Sequence, residues 1–297
     1  MITLIKRIKV DTIEFVISLP SNAQFSFLLG QLPEWKAFEK KFVPNGKITV
    51  KKGKYFTRMS YFPASKRMLA SVHLGSTPEK KKFAKISLQI GKAKGSEFAK
   101  FQENLATLME FFNYQKLFET AHVTRIDLAI DVYGRAPSEL LVYGGRIQKS
   151  HYYDDGGVKG TLYLGSNKSN LYFRIYDRGA KSAGKGAPCV PCTRIEANIK
   201  NVPATPNGLL ASLQNPFEKI FVADLKVARK IEGALTWWQE FLTAAEKIGS
   251  AAAMAELKKS EKKKARAFLQ AARVPWWDAQ KSWQALDDAL AVLEPSA

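Results

Sequence analysis

The spacing of hydrophobic and polar residues divides this chain of 297 residues into a strand-rich part and a helical part. Strict alternation predicts strands, whereas apolar residues that recur every three or four positions predict helices. Strands are predicted at residues 9–18, 47–61, 67–75, 84–91, 122–133, 159–165, 170–178 and 192–201. Helices are predicted at residues 34–42 and 96–119, and helical patterning dominates from about residue 216 onward.

This succession of elements predicts an α+β fold, with an antiparallel-sheet core and a C-terminal helical appendage. Gly91 and Gly165 end comparable apolar strands, which hints at two duplicated strand-rich α/β units. We therefore divide the chain into an N-terminal basic α+β half at residues 1–119, a second strand-rich half at residues 120–204, and a C-terminal helical region at residues 205–297.

The helical region carries two clusters of conspicuous side chains. The tryptophan pairs Trp237–Trp238 and Trp276–Trp277 are expected to be packing anchors rather than base-stacking platforms. The basic cluster between Lys258 and Arg266 could bind phosphates or could equally be a solvated helix face, and the sequence favours neither.

Basic residues are in large excess over the whole chain. There are 46 Lys and Arg residues against 27 Asp and Glu residues, which gives a formal net charge of +19 at pH 7. Residues 1–100 hold 20 basic and 6 acidic residues, so most of the excess lies in the first third. This excess indicates a polyanionic partner. Nucleic acid is favoured over an anionic membrane, because no strongly amphipathic basic helix lies in that third.

Targeting and cysteine signals are weak. No run of about 18 apolar residues predicts a transmembrane span, and the amino terminus lacks the apolar core of a signal peptide. We therefore expect a cytoplasmic protein with no membrane partner. Cys189 and Cys192 form a lone Cys-x-x-Cys pair, and we expect it to be structurally neutral, because a zinc site would need two more ligands in a chain with three histidines.

Three of the predicted strands carry polar residues on one face and apolar residues on the other. The polar residues are Arg125, Asp127 and Asp131 in the first strand, Tyr172, Arg174, Tyr176 and Arg178 in the second, and Arg194, Glu196, Asn198 and Lys200 in the third. Taken singly, each charged strand is more typical of a solvent face with cross-strand ion pairs that contribute little stability. A single strand tyrosine is likewise more often a packed aromatic than a nucleophile.

Taken together, these side chains have the chemistry needed to break a phosphodiester bond. A tyrosine can attack phosphorus and form a covalent phosphotyrosine, which conserves the bond energy for rejoining. The candidate ligands for Mg²⁺ or Mn²⁺ are Asp127, Asp131 and Glu196, and the candidate phosphate contacts are Arg125, Arg174, Arg178, Arg194 and Lys200. Because Asp127 and Asp131 are about 13 Å apart along an extended strand, we expect a cation to bind Glu196 and one aspartate, with Asp127 preferred.

The order of three segments resembles the replication initiation factor family: RIDLAID at residues 125–131, GTLYLGSNKSNLYFRIYDR at 160–178 and TRIEANIK at 193–200. That family includes rolling-circle initiators of small plasmids, relaxases of some integrative elements and replication proteins of certain filamentous phages. The resemblance is clear over residues 120–200 and weaker over residues 5–118. Arg178 stands where the family usually has Lys, so the charge is kept.

The resemblance implies that Tyr176 nicks one strand at an origin and stays on the new 5′ phosphate, with Tyr172 as the rival nucleophile. It places the family's acidic positions on Asp127, Asp131 and Glu196 and implies a divalent cation. Better-known rolling-circle nickases hold their metal with a His-x-His pair. No such pair occurs in this sequence, so a metal would have to be bound by carboxylates.

The function expected from this resemblance is a site-specific DNA nicking-joining enzyme that initiates rolling-circle replication. Its partners would be double- and single-stranded origin DNA, with the basic first third holding the duplex through backbone contacts. A host helicase and polymerase are further implied partners, and a homodimer is left open. Two other interpretations also stay open: a non-catalytic DNA-binding protein, and a metal-dependent nuclease in which water attacks. A four-strand RNA-binding module is least favoured, because its exposed-aromatic signature is not evident.

Overall fold

The computed structural model describes residues 4–5, 7–19, 47–51, 57–62, 68–76, 82–92, 95–108, 114–145, 147, 149–155, 158–183, 190–231 and 236–295. The chain forms two compact units. The first unit contains Met1–Ile8, Leu128–Ile199 and Gln214–Leu286, and the second contains Lys9–Asp127, Lys200–Leu213 and Asp287–Ala297.

The elements confirm the predicted α+β class. The strands are β1 (Leu4–Ile5), β2 (Lys9–Leu19), β3 (Lys47–Lys51), β4 (Thr57–Phe62), β5 (Ala70–Ser76), β6 (Lys82–Leu88), β7 (His122–Tyr133), β8 (Leu140–Gly144), β9 (Ser150–Asp155), β10 (Val158–Leu164), β11 (Leu171–Asp177), β12 (Cys192–Lys200) and β13 (Ile220–Asp224). The α-helices span Gly95–Leu108, Tyr114–Thr120, Arg178–Ala183, Leu209–Ser212, Leu225–Arg229, Thr236–Ile248, Ser250–Glu256, Lys259–Ala271, Ala279–Trp283 and Leu286–Ala291. None of the helices in the described ranges combines the length and apolar character that a membrane span requires.

In the first unit, four strands pair in the order β12-β11-β10-β9, and the residues of β7 from Leu128 onward lie next to β12. The pairs β12-β11, β11-β10 and β10-β9 are antiparallel. Their register places Arg174 opposite Glu196, Tyr163 opposite Arg174, and His151 opposite Tyr163. Because directly paired residues of antiparallel strands share a face, this register fixes which side chains meet.

One face of this sheet is apolar and buried. Phe173 is fully buried and its ring centroid lies 6.3 Å from that of Phe217, which in turn lies 6.2 Å from Trp277. A second apolar cluster joins the antiparallel pair of β8 and β13 to the helices between Thr236 and Ala271. Trp238 is at the centre of this cluster with no exposed surface, and its indole N–H donates to the Ala228 carbonyl at 2.9 Å. The predicted role of Trp238 and Trp277 as packing anchors is therefore confirmed.

In the second unit, an antiparallel sheet has the order β3-β4-β5-β6-β2. Alternate residues of β2 are buried, as its sequence pattern predicts. The helices Gly95–Leu108 and Tyr114–Thr120 contribute buried aromatic residues, and the rings of Phe98 and Tyr114 meet edge to face at 5.6 Å. The Tyr114 hydroxyl donates to the Leu293 carbonyl at 2.9 Å, which ties the end of the chain to this unit.

Several element boundaries differ from the sequence-based expectation. The strand predicted at 47–61 corresponds to β3 and β4, and β8 and β9 were not predicted at all. The predicted helical region from residue 216 contains the strand β13, whose Ile-Phe-Val-Ala run is short, apolar and paired with β8. The helix predicted at 34–42 lies outside the described residues. The three-part division by role and the internal duplication stay predictions.

Candidate active site on the tyrosine face

The polar side chains of the first unit collect on one face of the sheet, which we call the tyrosine face. Its members on β9 to β12 are His151, Tyr163, Tyr172, Arg174, Tyr176, Arg194, Glu196 and Asn198. Paired residues place them there: Tyr172 lies opposite Asn198, and Tyr176 lies opposite Arg194. The alternation in the sequence thus predicted the shared face correctly for these strands.

Glu196 is at the centre of the tyrosine face and has no exposed surface. Its Oε1 atom accepts from the guanidinium of Arg174 and from the Asn198 side-chain amide, the latter at 3.2 Å. Its Oε2 atom accepts from the Tyr176 hydroxyl at 3.4 Å. A buried carboxylate is stable only where its charge is compensated and its oxygens are hydrogen-bonded, and these three donors meet that requirement.

Asp131 forms a second buried ion pair in the same unit. Arg194 donates through Nε to Oδ1 at 2.7 Å and through Nη2 to Oδ2 at 3.1 Å, which is the paired geometry that guanidinium and carboxylate groups favour. Arg178 also donates to Oδ2 of Asp131. The Arg194 side chain is almost fully buried, whereas that of Arg178 is 31% exposed. Arg178 is therefore a partly exposed side chain whose guanidinium is held in place by the buried Asp131 carboxylate.

The two candidate nucleophiles have different surroundings. Tyr176 is partly exposed, its hydroxyl contacts Glu196, and the ammonium group of Lys181 lies 4.9 Å from the centroid of its ring. Tyr172 is 7% exposed and its ring stacks against Tyr163. A phosphate in solvent can therefore approach Tyr176 more easily than Tyr172. The pairing with Lys181 was not predicted from the sequence, although Lys181 lies in the helix that follows the Tyr176 strand.

Asp127 belongs to the second unit and is also fully buried. It accepts from Arg125 through both oxygens, with Nε to Oδ1 at 2.8 Å and Nη2 to Oδ2 at 2.5 Å. Arg125 also lies 3.8 Å from Glu14, whose carboxylate pairs with Lys85 at 2.6 Å. Lys200, at the end of β12, is partly exposed and is likewise part of the second unit. The expected grouping of Asp127 with Glu196 stays a prediction.

The interpretation of these strands as solvent faces is wrong for the carboxylates. Residues 126–132 of β7 and 192–198 of β12 are buried on both faces, so Asp127, Asp131 and Glu196 are in the interior. Strand alternation shows which residues share a face but not what covers that face, which explains the error. The ion pairs themselves do form, in an environment where losing one partner is costly.

The carboxylates are of the right chemical type for a divalent cation, but in this structure they are arginine partners. Every one of the three accepts from at least one guanidinium group. Within the described ranges, no group of three or more His, Cys, Asp or Glu side chains is arranged to hold a metal ion. Binding Mg²⁺ or Mn²⁺ here would require guanidinium groups to move, and the cation stays a prediction.

The chain has a structural neighbour among known proteins but no sequence match. No protein-family model and no curated protein sequence matches the chain. Among solved structures, the chain is similar to a rolling circle replication initiator protein from Geobacillus stearothermophilus, with 16% identity and a TM-score of 0.39. That match covers 81% of this chain and 96% of the other.

Proposed function

We propose that this protein nicks and rejoins DNA at a replication origin, with Tyr176 as the nucleophile and rolling-circle replication as its purpose. The observation that carries the proposal is the 3.4 Å contact between the Tyr176 hydroxyl and the buried carboxylate of Glu196. An activated nucleophile needs a base within hydrogen-bond reach, and that base needs a third group to orient it. Arg174 and Asn198 supply that orientation through Oε1 of Glu196.

In the proposed step, the Tyr176 oxygen attacks the phosphorus atom of one phosphodiester in line with the 3′ oxygen. Glu196 takes the phenolic proton as the bond between oxygen and phosphorus forms. The bond between phosphorus and the 3′ oxygen breaks, and that oxygen takes up a proton from water and leaves as a 3′ hydroxyl. The product is a 5′ phosphate linked to Tyr176, and attack by a 3′ hydroxyl on this link reverses the step and rejoins a strand.

Two partly exposed arginines are suited to neutralise the charge on that phosphate: Arg174 on the tyrosine face, and Arg178 at the start of the helix that follows β11. The Arg174 and Arg178 side chains are 30% and 31% exposed, and each guanidinium donates to a buried carboxylate. Donors fixed in advance stabilise developing charge without reorganising during the reaction. In this proposal the carboxylates hold the arginines in position, and this role does not require them to bind a metal ion. The EDTA arm of the assay described below tests whether the reaction needs a divalent cation.

The reaction also defines the proposed partners. The net charge of +19 suits a polyanion and would make binding of duplex DNA strongly dependent on salt. The 3′ hydroxyl left by nicking would prime synthesis, so a host helicase and polymerase are the implied partners in a bacterial or phage-infected cytoplasm. A homodimer acting on the two strands in turn is compatible with the same chemistry.

A covalent-trapping assay tests the proposal. Purified protein is mixed with single-stranded and supercoiled DNA from its own replicon, with Mg²⁺, Mn²⁺ or EDTA, and is then denatured and separated on a gel. We expect a protein–DNA adduct with the wild type and with Tyr172→Phe, and no adduct with Tyr176→Phe, which should still bind DNA. Cleavage without an adduct would instead indicate a nuclease in which water attacks. Binding without cleavage under every condition would indicate a non-catalytic DNA-binding protein.

A further inference from the structure

Three aromatic rings stack across neighbouring strands of the tyrosine face, and we call them the ring strip: His151, Tyr163 and Tyr172. The rings of His151 and Tyr163 are nearly parallel, with an interplanar angle of 5° and centroids 5.0 Å apart. The rings of Tyr163 and Tyr172 are 6.3 Å apart at 19°. The inner ring, Tyr172, lies two residues before Arg174 on the same face of β11, so the ring strip ends beside the arginine that contacts Glu196.

Exposure changes steadily along the ring strip. His151 is exposed, Tyr163 is partly exposed and Tyr172 is 7% exposed. The strip therefore begins at the surface, on the strand at the end of the sheet order, and runs inward toward the candidate active site. Aromatic pairs across strands commonly stabilise a sheet, but stabilisation alone does not require the outermost ring to face solvent.

The opposite face of β9 is occupied by helices, which leaves His151 on the open side. The Ser150 hydroxyl donates to the Ile248 carbonyl at 3.1 Å and accepts from the Ala252 backbone N–H at 2.9 Å. These contacts join the end of one helix to the start of the next and fix β9 from one side. Because successive side chains of a strand point to opposite faces, His151 projects away from these helices.

We infer that the ring strip ends in a stacking platform, the exposed ring of His151, for an unpaired base of the DNA strand whose phosphate is held at Arg174 and Arg178. Tyr163 supports this ring by stacking on its other side. This inference rests on the proposed function and adds to it the form of the substrate next to the nick. A nucleobase presents a flat π face that stacks on aromatic rings with little dependence on sequence. Neighbouring strands are about 4.8 Å apart, so His151 and Arg174, two strands apart, are within the span of a few nucleotides.

The same geometry favours single-stranded over duplex DNA. In a duplex, both faces of each base are covered by its stacked neighbours, so an aromatic ring can reach a base face only where the strand is unpaired. The positive charge of Arg174 and Arg178 suits the phosphates, and the rings supply the contact to the bases. The origin would therefore have to be locally melted before the nick is made.

Fluorescence anisotropy with a labelled single-stranded DNA oligonucleotide tests this inference. Binding is measured in the Tyr176→Phe background, in which the proposed cleavage cannot occur, and is compared with an abasic oligonucleotide of the same length and phosphate count. The variants are His151→Ala, Tyr163→Ala and the conservative Tyr163→Phe. The matched control is His122→Ala, which removes an exposed histidine from a different strand. Circular dichroism checks that each variant is folded.

We expect the parent Tyr176→Phe protein to bind the base-containing strand more tightly than the abasic strand. Tyr163→Ala and His151→Ala should each weaken binding of the base-containing strand by about tenfold and leave binding of the abasic strand nearly unchanged. Tyr163→Phe and His122→Ala should retain the affinity of the parent protein. Equal losses on both oligonucleotides, or no loss on either, would overturn the inference, and so would equal or tighter base-dependent binding of the matching RNA.

This readout separates the ring strip from the proposed chemistry. A protein that forms no adduct in the trapping assay but shows base-dependent binding would refute Tyr176 as a nucleophile and retain the platform. A protein that forms the adduct while the ring variants bind normally would refute the platform and retain the nucleophile.

Discussion

The hydroxyl of Tyr176 lies 3.4 Å from Oε2 of Glu196, a carboxylate with no exposed surface. The Tyr176 side chain is partly exposed, so a substrate can reach it, whereas the Glu196 carboxylate is out of the substrate's reach. A base that is shielded from solvent keeps a fixed position relative to the phenol. Water then does not compete with the phenol as the hydrogen-bond donor to this carboxylate. This relationship is the most specific link between the fold and the proposed chemistry.

Replacing Glu196 by Gln tests the role of the base. Gln keeps the shape of the side chain and can still bond to Asn198 and Arg174, but it cannot take the phenolic proton. We expect the rate of adduct formation to fall by about 10² to 10⁴-fold, with DNA affinity largely retained. The control is Glu246→Gln, which changes a surface carboxylate paired with Arg229. A wild-type rate in Glu196→Gln would show that the carboxylate is not the base.

Asp131 should be a large contributor to stability because two arginines depend on it. Asp131→Ala leaves the nearly buried Arg194 without this counter-charge, and loss of one partner of a buried pair typically costs about 3–5 kcal/mol. Urea unfolding followed by tryptophan fluorescence measures the change. Glu246→Ala breaks a pair whose side chains are 39% and 32% exposed, and it should cost about 0–1 kcal/mol. Equal effects of the two substitutions would contradict the assigned burial.

Gly249 should not tolerate a side chain. Its backbone has φ of 87° and ψ of 151°, a region that is essentially restricted to glycine. A Cβ atom there would press against Ser150 and lie 2.8 Å from Leu162. We expect Gly249→Ala to lower the free energy of unfolding by on the order of 1–3 kcal/mol from backbone strain, with the clash adding to this.

Gly145→Ala is the matched control for Gly249→Ala. The nearest atom that its Cβ would meet is on the Phe221 ring, 3.8 Å away, which is ordinary contact. Differential scanning calorimetry should therefore show a clear drop in Tm for Gly249→Ala and little change for Gly145→Ala. Because a side chain at Gly249 would press against Ser150 of β9, the first variant should also weaken binding of single-stranded DNA at the ring strip.

The sequence predicted the strands of the candidate site better than it predicted their surroundings. Alternation placed β7 at residues 122–133, set Arg174 and Tyr176 on one face of β11 and set Glu196 with Arg194 on one face of β12, because a period of two is a local property of each strand. The register between β11 and β12 joins these faces into one. It could not show that Glu196 is fully buried, since burial depends on what covers the sheet. The sequence pattern likewise could not predict which arginine pairs with which carboxylate. Arg178 and Asp131, for example, are separated by 47 residues and meet through tertiary packing.

The ring strip shows a related limit of sequence reasoning. An exposed aromatic signature was not evident because its three rings come from three strands and follow no local spacing. His151 lies in β9, a strand that the sequence pattern did not predict, so its pairing with Tyr163 could not be anticipated. The stack arises from register, which is decided by the whole sheet and its turns.

Alkaline pH should destabilise the second unit through its buried tyrosines. Burial raises the pKa of the Tyr114 phenol far above its ordinary value, and burial likewise raises the pKa of Tyr61. In the unfolded chain these phenols ionise near a pKa of about 10, whereas in the folded protein they stay neutral to higher pH. Their contribution to stability is therefore complete below about pH 10 and is lost as the pH rises toward the folded values.

Tyr114→Phe isolates this contribution. At pH 7 the variant should lose about 1 kcal/mol with the hydrogen bond to the Leu293 carbonyl. Above pH 10 its free energy of unfolding should fall less steeply than that of the wild type, because one shifted phenol is gone. Urea unfolding followed by circular dichroism from pH 7 to 11 measures both effects. Phe98→Leu, which changes the ring beside Tyr114 without removing an ionisable group, should shift the whole profile down without changing its slope. Parallel profiles for the wild type and Tyr114→Phe would show that this phenol does not control the alkaline transition.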